Sequence, residues 1–170
     1  GSGLVGSEMC IRDRMKGFVK RRPVSAELAE ALKQADPERG AELAKELQGG
    51  LPAIALTNHA ALSSAFANDV DGMLSYAQQV NGYGKAGDVF LGISTSGNAE
   101  NVMYAAVTAK AKGMKVIGLT GKTGGKLAKI ADVAIIVPEQ ETYKIQELHL
   151  PIYHALCLML EDRFFGEKNH

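Results

Sequence analysis

Two stretches of this sequence carry side chains able to act on a charged small molecule. The first is LGISTSGNAEN, residues 91–101, where the apolar run Leu91-Gly92-Ile93 gives way at once to Ser94, Thr95, Ser96, Gly97 and Asn98. Hydroxyl donors, a glycine that permits close backbone approach and a following helix N-terminus together suit an anion, phosphate above all. The plain alternative is an ordinary N-cap, because Ser, Thr and Asn are the preferred cap residues. Four such residues flush against a buried strand shift the balance toward the anion. The second stretch is IQELHLPIYHALCLML, residues 145–160. Gln146, Leu150 and His154 step by four, so Gln146 and His154 lie near one helix face, two turns apart. A histidine in apolar surroundings can be tuned across neutrality, as proton transfer requires. Its bland alternative is a core histidine satisfied by a backbone carbonyl. His149 lies five residues before His154, about 140° round the helix, so the two are not expected to face one substrate together.

The elements that must position these groups are legible as an alternating pattern. DVFLGIS (88–94), KVIGLT (115–120) and VAIIVP (133–138) read as buried strands, and PAIALT (52–57) as a further short one. Helices are expected from near Asn58, over 73–82, over 98–112 with Val102, Ala105, Ala106 and Ala109 on one face and Gly113 as its cap, over GGKLAKIA, and from about Tyr143 to Phe165. Ser25 with Leu28 and Leu32, then Pro37 to Leu47, predict a helical hairpin ending at Gly49-Gly50. Uniformly apolar strands separated by helices argue for an α/β fold with a mainly parallel sheet covered on both faces, a three-layer α-β-α sandwich. In such a sheet ligands bind where strand carboxyl ends meet helix N-termini, which is where residues 94–98 fall. GLTGKTGGK (118–126) is a second Gly-rich turn at the next strand end. It lacks the spacing of a nucleotide P-loop and reads as structural or as a rim. Pro151 removes one backbone bond from the last helix and is expected to bend it.

The bulk numbers bound the answer. The 170 residues suffice for one domain with a sizeable core, and 46% apolar with 22% charged residues is ordinary for a globular chain. Lys plus Arg balance Asp plus Glu at 19 each, so no global field recruits nucleic acid or membrane, and any anion site must be local. Cys10 and Cys157 lack CxxC spacing and point to a reducing compartment, with the cytoplasm as the default. Residues 1–14, GSGLVGSEMCIRDR, read as a foreign or disordered segment, similar to translated sequencing-adapter read-through or a cloning scar. MKGFVKRRP after them reads as a helix tail stopped by Pro23.

GDVFLGISTSGNAENV, AKGMKVIGLTGKTGGKLAKIADVAIIVP and IQELHLPIYH resemble the sugar isomerase (SIS) domain. NDVDG (68–72) together with the last of these resembles its phosphoheptose isomerase group, over about residues 15–167. The resemblance implies a flavodoxin-like SIS domain over 15–170 with a helical insert at about 25–48. It further implies interconversion of sedoheptulose 7-phosphate and D-glycero-D-manno-heptose 7-phosphate through an enediol, for precursors of cell-surface glycans. Position by position, it makes Ser94, Thr95 and Ser96 phosphate ligands, and Asn68 and Asp69 the polar pair lining the sugar. It makes Gln146 a substrate ligand and His154 the catalytic histidine. A further serine of the family's phosphate pocket falls on Ala99 here.

The same resemblance sets expectations that this chain meets only in part. Isomerisation needs a second acid or base, and the family supplies it as a glutamate after a Gly-Asn-Gly-Gly-Ser turn that this sequence does not contain. Its position falls on Asp13 or Arg14, so the chain is expected to be a truncated relative with little turnover. No cofactor is required by this reading. Zinc enters only because some relatives place it at the glutamate, glutamine and histidine, of which Gln146 and His154 remain. The family implies self-association as a homodimer or homotetramer. The alternative function is a non-catalytic sugar-phosphate-binding module, regulatory or acting through protein contacts in replication initiation.

Overall fold

Three apolar runs meet the length of short strands, and all three pair. In the computed structural model, which describes residues 22–166, β1 (Val89–Ser94), β2 (Lys115–Thr120) and β3 (Val133–Ile136) form a parallel sheet in the order β1-β2-β3. The expected foreign segment 1–14 and the helix tail before residue 22 lie outside the described residues. The register places Ser94 opposite Thr120 and Thr120 opposite Ile136. The carboxyl ends of the strands are therefore level, and whatever follows each strand emerges at one edge.

The described chain divides into two compact units, one of Leu56–Ile152 and one of residues 22–55 with 153–166. The first holds the sheet, with α3 (Ala60–Asp69), α4 (Ser75–Tyr83), α5 (Glu100–Ala111), α6 (Gly125–Ile130) and the first part of α7 (Thr142–Phe165). The predicted apolar face of α5 is the buried one. Ala105, Ala106 and Ala109 are 0% exposed and pack with Val80, Phe90, Met114, Val116 and Leu127, with Val102 partly buried beside them. Small side chains let this helix lie close over the strands, while full burial of a Leu127-sized side chain stabilises by about 2–3 kcal/mol. Gly113, at φ 74°, ends the helix as predicted, and the Met114 N–H returns to the Ala109 carbonyl at 3.0 Å.

One expected element is absent. PAIALT forms no strand, because residues 51–55 pair with no neighbour among the described residues and Leu56–Asn58 is a 3-10 turn. A strand needs a partner ladder, and Pro52 cannot donate to one. The Leu56 carbonyl instead accepts from Gln79 Nε2 at 2.8 Å. Pro151 stands inside α7, which continues through it without an N–H to offer the Glu147 carbonyl.

The second unit is built on the predicted hairpin of α1 (Ala26–Ala35) and α2 (Pro37–Glu46). Ser25 Oγ accepts from the Leu28 N–H and Asp36 Oδ1 from those of Glu38 and Arg39, so both helices start on a side-chain cap. Gly40 is buried where the two helices cross, and a Cβ there would collide with the Leu32 carbonyl. Pro23 bridges Gln48, and Arg22 reaches Glu161 at 3.4 Å and the Phe165 carbonyl at 3.0 Å. Among the described residues no helix is long and apolar enough to cross a membrane.

Candidate functional site

The turn after β1 is held by its own backbone. The Gly97 N–H lies 3.1 Å from Ser94 Oγ and 3.0 Å from the Ser94 carbonyl, and Ser96 Oγ accepts from the Asn98 N–H at 3.2 Å. Both serine oxygens thus act as acceptors within the turn, which leaves each hydroxyl proton available to donate elsewhere. Ser94 is buried, while Thr95 and Ser96 are half-buried at the strand end. Gly97 sits at φ 67°, a left-handed conformation that a side chain disfavours.

The plain cap reading of these residues does not survive the geometry. The N-cap position of α5 falls on Ala99, which makes no side-chain cap hydrogen bond. The hydroxyls of Ser94, Thr95 and Ser96 lie upstream of it and do not satisfy the first turn of this 12-residue helix by capping. In the first turn Asn101 Oδ1 accepts from the Val102 N–H at 2.9 Å, and the N-cap Ala99 adds no side-chain bond. Such an N-terminus, preceded by serine hydroxyls that keep a proton to donate, is suited to an anion. Beside it, Lys126 Nζ pairs with Glu100 at 2.7 Å, and that contact holds the lysine pKa above its ordinary value.

The second Gly-rich turn proves to be a brace for the first. The Gly121 N–H donates to the Thr95 carbonyl at 3.1 Å, the Leu127 N–H to the Gly97 carbonyl at 2.9 Å, and the Lys126 N–H to Asn98 Oδ1 at 3.0 Å. Asn98 Nδ2 also donates to the Ser96 carbonyl at 3.2 Å. The two turns touch backbone to backbone, and a Cβ on Gly97 would collide with the Gly124 carbonyl. Asn98 is named in the sequence only as part of the turn and Gly124 and Gly125 only as part of a structural or rim segment; their role as the brace comes from the structure. The available signal was two Gly-rich turns on consecutive strands of a parallel pair, whose level ends must meet.

The predicted helix residues divide between settings. Gln146 is half-buried in the first unit, next to Ile145, which is 0% exposed and covers Gly121. His149 is 0% exposed, with Nε2 3.0 Å from the Thr120 carbonyl. Burial holds its pKa below the ordinary histidine value, and the hydrogen bond to Thr120 opposes that shift. The carbonyl-satisfied core histidine weighed for His154 is therefore His149. His154 lies in the second unit, half-buried, its ring edge-on to Tyr153 at 4.9 Å, and its buried Nε2 has no hydrogen-bond partner among the described residues. Asn68 and Asp69 end α3 exposed, and no hydrogen bond or ion pair among the described residues joins them to the turn. No group of three or more His, Cys, Asp or Glu side chains gathers as a metal site among the described residues.

A family model described as SIS domain matches residues 25–121. The phosphoheptose isomerase of Sulfurimonas denitrificans is 43% identical over 117 residues, which are 69% of this chain and 60% of that protein. The phosphoheptose isomerase of Nitratiruptor sp. is 45% identical over 120 residues, 71% of this chain and 64% of that protein. The chain thus spans 60–64% of the length of these relatives. Among solved structures, a phosphoheptose isomerase from Neisseria gonorrhoeae superposes with a TM-score of 0.62 at 32% identity, covering 92% of this chain and 87% of its own. One from Francisella tularensis gives a TM-score of 0.68, also at 32% identity, covering 92% of this chain and 73% of its own.

Proposed function

This chain belongs to the SIS-domain family, and on that footing we propose that its Ser94–Asn98 turn binds the phosphate of a phosphosugar for aldose–ketose isomerisation of the phosphoheptose type. One observation carries the reading: the serine hydroxyls are tied to backbone N–H groups in a turn that leads into a helix N-terminus whose N-cap residue, Ala99, offers no side-chain hydrogen bond. Phosphate bound there would donate nothing and accept from hydroxyls and amides, the chemistry that this turn offers. Similarity to phosphoheptose isomerases supports the choice of a heptose 7-phosphate as substrate.

In this reading Gln146, Asn68 and Asp69 meet the sugar, and His154 moves a proton to or from its oxygens. The carboxylate expected at Asp13 or Arg14 lies outside the described residues. Asp13 is one methylene shorter than glutamate and Arg14 is no base, so the 170-residue chain should bind better than it converts. In this reading the chain works in the cytoplasm and self-associates as a homodimer or homotetramer.

The test follows sedoheptulose 7-phosphate in D2O by proton NMR with the chain present. Line broadening of the sugar with slow deuterium exchange beside the carbonyl is expected, and exchange should vanish in His154→Ala. Broadening without any exchange would place the chain among non-catalytic sugar-phosphate-binding modules. No broadening at all would overturn the reading.

A further inference from the structure

Resting on the phosphosugar reading and deepening it, we propose that His149 is a positioning residue that bolts α7 to the carboxyl end of β2 and thereby sets Gln146 beside the Ser94–Asn98 turn. The links are short and lie within one compact unit. His149 Nε2 meets the Thr120 carbonyl at 3.0 Å, Thr120 is the register partner of Ser94, and the Gly121 N–H donates to the Thr95 carbonyl at 3.1 Å. Gln146 stands three residues before His149, one helical turn away on an adjoining face, and Ile145 between the same turns covers Gly121.

The histidine is held in one protonation form. A carbonyl only accepts, so Nε2 must carry the proton. Among the described residues His149 Nδ1 is buried with no partner, and in an imidazolium it would be an unsatisfied buried N–H. The ring is therefore neutral, with its proton on Nε2. Packing alone does not account for it, because a leucine or phenylalanine would fill the space without a buried orphan nitrogen. Thr120 Oγ1 is likewise buried and unpartnered among the described residues, so two polar side chains bear this cost at the strand end that meets the turn. What the histidine adds over an apolar residue is direction, a fixed azimuth for the helix that carries Gln146.

Calorimetric titration of the 170-residue chain tests this with two probes, inorganic phosphate and sedoheptulose 7-phosphate. His149→Phe keeps bulk and removes the donor, and His149→Gln returns a donor near the place of Nε2. Phosphate affinity should be equal in all three proteins, because the turn is untouched. Sedoheptulose 7-phosphate should bind about tenfold more weakly to His149→Phe, the scale of one lost directional contact, and recover in His149→Gln. Equal sugar-phosphate affinity in His149→Phe, or equal weakening of both probes without recovery in His149→Gln, overturns the proposal. If the unmodified chain binds phosphate but not the sugar phosphate, the phosphosugar reading itself fails, a different result from either. Should His149→Phe not fold, nitrogen NMR of the imidazoles in the unmodified chain decides, with assignment by His149→Gln. A proton on Nε2 and none on Nδ1 is expected, and the reverse tautomer overturns the bolt.

Discussion

Asp132 is the carboxylate this fold uses most directly. Its Oδ2 accepts from the Val116 N–H at 2.8 Å, and its Oδ1 meets Lys110 at 3.0 Å and Lys115 at 3.5 Å. The backbone donor first, then Lys110, holds its pKa down to about 2 from 3.8. A depressed folded value means that the unfolded chain takes up protons first. Its contribution is present above pH 3.8 and is lost as pH falls toward about 2. His149 follows the same sign from another cause, since burial lowers its pKa below 6.5. Its contribution is complete above pH 6.5 and declines below it. Urea unfolding across pH should therefore show two declining arms. Asp132→Asn should flatten the acid arm and His149→Gln the arm beginning near neutrality, and an unchanged profile in either variant contradicts its assignment. At this scale the sequence was a partial guide. Ser94, Thr95 and Ser96 declare themselves by type, whereas the bond of His149 to the Thr120 carbonyl depends on the azimuth at which α7 docks, and periodicity does not set that angle.

At the scale of elements, the Gly97–Gly124 contact is the point on which the turn depends. Gly97→Ala meets both a left-handed φ of 67° and the Gly124 carbonyl, and should cost about 2–3 kcal/mol. Asn98→Ala removes the bond to the Lys126 N–H and the bond to the Ser96 carbonyl, and should cost about 1–2 kcal/mol. Denaturant midpoints read both losses, and a Gly97→Ala midpoint equal to that of the unmodified chain would show that the turns are not interlocked. The three sheet strands were legible as short apolar runs between helices, and the buried face of α5 by the spacing of Val102, Ala105, Ala106 and Ala109 with Gly113 at its end. The burial expected of VAIIVP is corrected, because Val133 and Ile136 on β3 are exposed among the described residues. PAIALT misled because a continuous apolar run marks burial potential and says nothing of a pairing partner. The brace between the two Gly-rich turns is a contact between sequence-distant backbones, which only the register of β1 on β2 reveals.

For the whole molecule, Lys plus Arg equal Asp plus Glu at 19 each, so no long-range field steers an anion to the turn. The association rate of a phosphosugar should change by less than about threefold when salt shortens the Debye length from roughly 10 Å to 3 Å. A much steeper dependence, read by stopped-flow mixing, would point to a broad basic surface in place of a local one. The parallel sheet and the family were both legible, because strand–helix alternation and the STSGN turn are long-range and local signatures of the same architecture.

The central claim is that the turn after β1 holds a sugar's phosphate, and thermal melting tests it most directly. The 170-residue chain would be melted with rising sedoheptulose 7-phosphate, with sedoheptulose alone, and again as the double variant Ser94→Ala, Ser96→Ala. The account predicts a Tm that climbs with the phosphosugar, equivalent to about 2.7 kcal/mol at a hundred times Kd, with no rise from the free sugar and none in the double variant. No rise at millimolar phosphosugar in the unmodified chain, or an equal rise in the double variant, would contradict it.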